Sequence, residues 1–470
     1  MDSFRIEKDI LGEIKIPNDI YYGINTLRAT KNFNISNKKV NYKIITAIVT
    51  VKIACALANK KLKYLTSTKA DAIITACNKI LKGGYKDQFV TDSLQGGAGT
   101  STNMNVNEVI SNIAIELLGN PKGDYSIINP IDDVNMSQST NDVYPTAMRI
   151  AAIKLLRDTT DAFSTLQDSL QIKENEFASI LKLGRTELMD ALPIMAGQQF
   201  GAYARAIARD RWRLYKVEER LRETNLGGTA IGTGANASQK YIFLVTDILQ
   251  DITGLGLSRS DFPIDTTQNM DVFVEVSGLL KAAAVNLIKI SNDIRLLGSG
   301  PSGGIGELIV PPVQAGSSIM PGKINPVILE MVAQVSMKVI ANDAAITFAA
   351  SNGQLELNAF APLIADSLLD SLEILKNAVN TLTDKCINHI GVNIENCRVN
   401  LENSNVLVTA LVPYIGYDKA SEISKRAIFE NRSVRDIIET ENIISKDLLV
   451  KIFNPFALTS PGIPGKVSEN

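Results

Sequence analysis

Residues 276–297 read VSGLLKAAAVNLIKISNDIRLL. Apolar side chains recur there at Val276, Leu280, Ala283, Leu287, Ile290, Ile294 and Leu297. The steps alternate between four and three, which keeps one stripe on one helix face. Gly298 stops the pattern, and the loop GSGPSGGIG follows at 298–306. The same alternation runs through Ile328, Val332, Val335, Val339, Asn342, Ile346 and Ala349, behind an Asn325-Pro326 start signal. A third stripe is Leu368, Leu372, Leu375, Val379, Leu382 and Cys386. Two further helical stretches cover about 142–172 (Met148, Ala152, Leu155, Ala162, Leu166, Leu170) and 196–224 (Phe200, Ala204, Ile207, Leu214, Val217, Leu221). These spacings predict five long helices, most well above the mean of about 12 residues. Helices of that length bury their stripes by lying along one another, so the expectation is a mainly α chain with a central helical bundle. Small residues in the stripes (Ala282–Ala284, Ala344, Ala345) permit close approach, and the extent of apolar face predicts a homo-oligomer.

Outward from the bundle the pattern changes. Residues 1–140 mix short helical runs with loops, and after Cys397 the helices shorten around Pro413, Gly416 and Pro455. The expected division is an N-terminal domain 1–140, a central helical domain 141–395 and a small C-terminal helical domain 396–470. The 470 residues are about three times the ~150 of a typical domain. Lys and Arg number 48 against 50 Asp and Glu, so no charge excess argues for nucleic acid or a strongly charged partner. The chain has one histidine, His389, which excludes multi-histidine metal sites. Any Ser-His-Asp or Cys-His arrangement within one chain would have to use it. An enzyme built from this chain is therefore expected to use a base other than imidazole, and His389 itself reads as a helix-end residue. Cys55, Cys77, Cys386 and Cys397 form no C-x-x-C pair and read as buried reduced thiols. The N-terminal MDSFRIEKDI has no apolar core of a signal peptide, and no run of about 18 apolar residues is free of charge or glycine. No membrane association and a cytoplasmic location are the expectations.

Four polar segments interrupt the helices. The first is GGAGTSTNMNVNE at 96–108, a glycine loop feeding a helix, whose free N–H groups attract anions. The second is NMSQSTND at 135–142, with more polar groups than a helix cap uses. The third, GRTELMDALP at 184–193, crowds charges beside apolar residues. The fourth, GSSIMPGKINP at 316–326, is a glycine-flanked loop with Ser317, Ser318 and Lys323, ending at a helix N-terminus. Helix N–H groups and Lys323 favour negative charge nearby, an environment in which a serine could act as a base. One decoy is Gly232-Thr-Gly234-Ala-Asn-Ala237, a loose G-x-G-x-x-A match. It follows the charged run from Tyr215 to Arg222, not a β-branched strand, so the dinucleotide-binding context is missing.

The fourth segment resembles the signature loop of the aspartase/fumarase superfamily, G-S-S-x-M-P-x-K-x-N-P, at every fixed position. The other segments resemble that superfamily's remaining blocks in order and spacing. The likeness runs from IPNDIYYG (16–23) through GQLELN (353–358) to IGYDKA (415–420). YYGINTLRA (21–29) and Ser139-Thr140-Asn141 are similar to the aspartase form of those blocks, where fumarases typically carry S-S-N. The resemblance implies three domains, five-helix bundles from four subunits joined in a twenty-helix tetrameric core, and active sites each shared by three subunits. It implies anti-elimination of ammonia from L-aspartate to give fumarate, with no cofactor and no metal-ligating residue assigned.

In the implied mechanism Ser317 is an alkoxide base that takes a proton from the β-carbon. The resulting aci-carboxylate is stabilised by Thr100, Ser139, Thr140 and Ser318. Lys323 and Asn325, with Thr186, hold the α-carboxylate, and Asn141 with Thr100 holds the amine. Two residues depart from the family pattern. Glu187 stands where many members carry His or Gln near the amine; a carboxylate there suits an ammonium and repels a substrate carboxylate. Asn129 replaces a histidine before Pro130 that belongs to a peripheral anion site in fumarases. The readings left open are an ammonia-lyase acting on aspartate, a fumarase or a lyase acting on a substituted aspartate, and a helical scaffold without activity.

Overall fold

The computed structural model describes residues 4–466. The chain is mainly helical, and among the described residues its strands form two-stranded sheets. The five long helices are Thr140–Glu176, Ala196–Val217, Asp271–Leu297, Val327–Ser351 and Ala361–Lys385. Every stripe residue expected in the first, second, third and fifth of these is buried. In Val327–Ser351 five of the seven stripe residues, Val332, Val339, Asn342, Ile346 and Ala349, are buried. Leu329 and Ser336 are buried where Ile328 and Val335 are only half-buried. This helix also carries Met337, Ala341, Ala344 and Phe348 on an exposed face.

The chain divides into two compact units, one of 1–160, 212–282 and 338–375, the other of 161–211, 283–337 and 376–470. All the internal boundaries fall inside the five long helices. In the first unit buried polar bonds tie the helices laterally. Thr159 donates to Leu372 O, Asn342 donates to Ser371 Oγ, and Ser277 and Lys281 donate to Asp343. In the second unit Arg211 donates to Ser164, Asn286 to Asp210 and Tyr203 to Asp293.

In the first unit the hairpin Phe4–Asp9/Gly12–Pro17 is followed by helices Ile24–Asn32, Tyr42–Lys61, Ser67–Leu81 and Thr100–Leu117. Tyr42–Lys61 is long and apolar enough by composition to cross a membrane. Its faces are instead filled by Ser67–Leu81, Gln239–Thr253 and Thr100–Leu117, which makes it a core helix of this unit. The YYGINTLRA block is anchored by buried Glu108, which accepts from the N–H groups of Gly23, Asn25 and Thr26 and from Thr26 Oγ1. A Cβ at Gly23 would lie 2.7 Å from the Glu7 carboxylate and 2.9 Å from that of Glu108, so only glycine fits there.

In the second unit the hairpin Leu181–Thr186/Met189–Met195 stands on a buried ion cluster. Glu307 takes Arg185 at 2.8 Å and Lys182 at 3.0 Å, and Asn400 completes its shell. The C-terminal helices close around Leu411, Ile423, Ile437, Ile438, Leu449 and Ile452. His389 is exposed in a single 3₁₀ turn just after Ala361–Lys385, a helix-end residue as expected. All four cysteines are unpaired and buried.

Candidate active site

Two of the four polar segments lie in the first unit and come together there. Gly97, Ala98 and Gly99 all have positive φ, and Gly99 caps the Thr100–Leu117 helix without a side-chain bond. Gly99 is required twice: its φ is +95°, and a Cβ would sit 2.4 Å from the Tyr144 ring. This brings the exposed Thr100 helix start against the first turn of Thr140–Glu176. Thr100 Oγ1 donates to Gly97 O at 2.8 Å and keeps its acceptor lone pairs free of that bond.

A buried amide network joins the two helix starts. Asn103, one turn along from Thr100, donates to Thr140 Oγ1 at 3.2 Å and to Asn135 Oδ1 at 3.1 Å. Asn107 and Lys52 donate to the same Asn135 oxygen. Ser139 Oγ accepts from the Asn141 N–H at 3.2 Å. The backbone of Asn141 is held for a reason visible in the sequence. Pro145 lies inside this helix and has no N–H, so the Asn141 carbonyl has no i+4 donor. Asn225 supplies one from its side chain at 2.9 Å, and Asn141 Nδ2 in turn donates to Ala230 O at 2.7 Å. Thr100, Ser139, Thr140 and Asn141 are thus brought together at two adjacent helix N-termini, whose N–H groups favour an anion.

The other candidate residues lie in the second unit. Thr186 and Glu187 form the exposed tip of the 181–195 hairpin. Glu187 and Leu188 both have positive φ, the geometry of a two-residue hairpin turn made without glycine. Ser317 lies in a loop that ties itself together. Its Oγ accepts from the N–H groups of Ile319 at 3.2 Å and Met320 at 2.9 Å. Gly316 N–H donates to Lys323 O at 2.9 Å, and Asn325 Nδ2 donates to Gly316 O at 2.8 Å. Asn325 therefore closes the loop through its amide, and the helix begins two residues later at Val327. Ser318 and Lys323 are exposed. Two N–H donors on one serine oxygen stabilise that oxygen as an anion, the property a serine base needs.

Gly232 and Gly234 serve packing. Cβ atoms there would meet Ile264 at 2.4 Å and Ile242 at 2.7 Å. Asn129 caps its own turn, accepting from the Ile131 and Asp132 N–H groups. Sequence reading left Lys52, Asn103, Asn107, Asn225 and Glu307 without roles. Lys52 carried a signal, a lone charge within the apolar run from Ile44 to Ala58.

A family model described as Lyase matches residues 12–341, and one described as Fumarase C C-terminus matches residues 407–460. An aspartate ammonia-lyase of Bacillus subtilis is 45% identical over 463 residues, 98% of each chain. One of Pseudomonas aeruginosa is 48% identical over 463 residues, again 98% of each chain. Among solved structures, a fumarate lyase:delta crystallin from Brucella melitensis bound to cobalt superposes with a TM-score of 0.94 at 46% identity, covering 98% of this chain and 100% of that one. A class II fumarase from Schistosoma mansoni superposes at 0.93 with 32% identity and the same coverage. Matched along its length in both sequence and fold, the chain belongs to the aspartase/fumarase superfamily of lyases.

Proposed function

We propose that this protein is an aspartate ammonia-lyase, a carbon–nitrogen lyase that interconverts L-aspartate with fumarate and ammonia. The observation that carries the reading is Ser317, whose Oγ is held by two backbone N–H groups inside a GSSIMPGKINP loop. As an alkoxide it takes the proton from the β-carbon. The C–H electron pair moves into the β-carboxyl group as an aci-carboxylate, which then collapses to a C=C bond and expels the α-amine as ammonia. The proton stays on Ser317 until release. Ionising a serine near pH 7 costs about 8 kcal/mol, which the N–H donors, Lys323 and exclusion of water offset.

Thr100, Ser139, Thr140 and Ser318 hold the β-carboxylate as its charge doubles. Lys323, Asn325 and Thr186 hold the α-carboxylate, and Asn141 holds the amine together with Thr100. The reaction uses no cofactor. The residues belong to different units of the chain, and the reading assigns each complete site to three subunits of a homotetramer. The exposed apolar side chains on long helices, Trp212 and Tyr215 on one and Met337 and Phe348 on another, support subunit packing over those faces. The three-domain division at 140 and 395 is part of the same reading. So is a cytoplasmic location, supported by four unpaired thiols.

Glu187 keeps a second reading in view, a lyase acting on a substituted aspartate or a fumarase, because a carboxylate stands where many members carry His or Gln and would repel a nearby substrate carboxylate. Ultraviolet absorbance of fumarate tests both. Formation from L-aspartate and not from L-malate supports the ammonia-lyase. Formation from malate alone makes the protein a fumarase. Absence from both, beside an active control, points to a substituted aspartate or to an inactive scaffold.

A further inference from the structure

Two charges that the proposed reaction does not use lie at the ends of the Ser139–Thr140–Asn141 turn. Lys52 is fully buried and donates to Asn135 Oδ1 and Gln138 Oε1, both at 2.8 Å. Asp142 is fully buried as well. Its Oδ1 accepts from the Ser139 N–H at 3.0 Å, and its Oδ2 from Gly227 N–H at 3.1 Å and Thr229 N–H at 3.0 Å. One group thus grips the turn from the 135–138 side. The other ties its first residue to the 225–230 loop, which also holds Asn141 at both its carbonyl and its amide.

Neither charge is favoured by its surroundings. Burial pushes Lys52 down to about 8, partly opposed by Cys55, Asp142 and Cys77. Burial pushes Asp142 up to about 6 against its three N–H partners and Lys52. A carboxyl raised on folding contributes stability below its ordinary range and loses that contribution as the pH rises through about 6. At neutral pH the Asp142 charge is therefore a cost to stability, and a well-packed apolar side chain is often at least as stable as a buried charge.

We propose that Asp142 and Lys52 are positioning residues that clamp the 135–142 turn, so that Ser139, Thr140 and Asn141 meet the substrate's β-carboxylate and amine in one fixed geometry. The identity of that ligand rests on the ammonia-lyase reading; the clamp does not. The titratable groups facing the pair are Cys55 on its own helix beside Lys52, Cys77 from Ser67–Leu81 and Tyr241 from Gln239–Thr253. Burial raises both thiols and the phenol, so none of the three ionises near pH 6.

The test compares the full-length protein with Asp142→Asn. Its readouts are the pH profile of kcat/KM for L-aspartate and deuterium exchange of the 135–142 peptide. The clamp predicts an acidic limb near pH 6 in the parent protein that is absent in the variant. It also predicts at least a tenfold loss of kcat/KM at pH 8 and faster exchange of that peptide with the oligomer retained. A variant within twofold of the parent, or one that keeps the limb, overturns it. Should Asp142→Asn not fold, Gln138→Leu loosens the Lys52 side; a KM raised at least fivefold supports the clamp and an unchanged KM overturns it. A parent protein that makes no fumarate overturns the ammonia-lyase reading alone. Exchange then judges the clamp by itself, and unchanged exchange in the variant overturns it.

Discussion

The Asn135–Asp142 turn and the Gly316–Pro326 loop both carry candidate site residues but are held in opposite ways. The turn is fixed by groups from elsewhere in its unit: Lys52, Asn103, Asn107, Asn225 and the Gly227–Ala230 backbone. The loop is fixed by itself, through Ser317 Oγ, the Gly316–Lys323 backbone bond and the Asn325 amide. The turn is half-buried or buried, and most of the loop is exposed. One half of the chemistry is thus prearranged by packing, with its ordering entropy spent on folding. The other is a small self-tied unit free to move against a substrate.

The comparison predicts that substitutions in the loop change rate without stability, while substitutions around the turn change both. The largest effect is expected for Ser317→Ala. Steady-state assays should show kcat/KM reduced by about 10⁴-fold or more, the loss typical of removing a base that nothing replaces. Its melting temperature should match the parent protein's. Residual activity within tenfold of the parent would remove Ser317 as the base.

Gly99→Ala is the corresponding break on the other side. The new Cβ meets the Tyr144 ring at 2.4 Å, and the backbone has a φ of +95°. Strain and overpacking together should cost about 2–4 kcal/mol, read from denaturant midpoints at constant m-value. A variant as stable as the parent would mean that the Thr100 helix start adapts, and the contrast between packed turn and free loop would fail.

Gly316→Ala sharpens the contrast. Its Cβ would lie 2.5 Å from Lys323 O and 2.7 Å from Asn325 N, the two places where the loop closes on itself. Activity should fall about 10–100-fold through misplacement of Ser317. Stability should change less than for Gly99→Ala, because Gly316 is half-buried in a loop most of which is exposed and can shift. Glu187→Gln should have the smallest effect. The side chain is exposed, so the melting temperature should not move. The ratio of kcat/KM for aspartate over malate should fall by about three- to tenfold if the carboxylate reads the amine. An unchanged ratio would make it a solvated turn residue.

Much of the fold was legible in the chain. The long helices bury the faces their spacing predicts, with only Ile328 and Val335 half-buried, because a stripe of period 3.6 can be buried in only one orientation. Less legible was the opposite side of Val327–Ser351, where Met337, Ala341, Ala344 and Phe348 are apolar and exposed. The reactive loop was legible too. Its glycines, hydroxyls and lysine form a local pattern, and its hydrogen bonds close within ten residues.

What the sequence determined by itself was whatever depends on near neighbours: helix periods, the glycine junction before Thr100, and the Ser317 loop. Only the tertiary structure decided how the packed turn is held. Lys52 meets Asn135 from 83 positions away, and Asn225 supplies from 84 positions away the donor that Pro145 withholds from Asn141. A buried polar group must be satisfied by whatever partner folding brings to it, and that partner leaves no trace in local spacing.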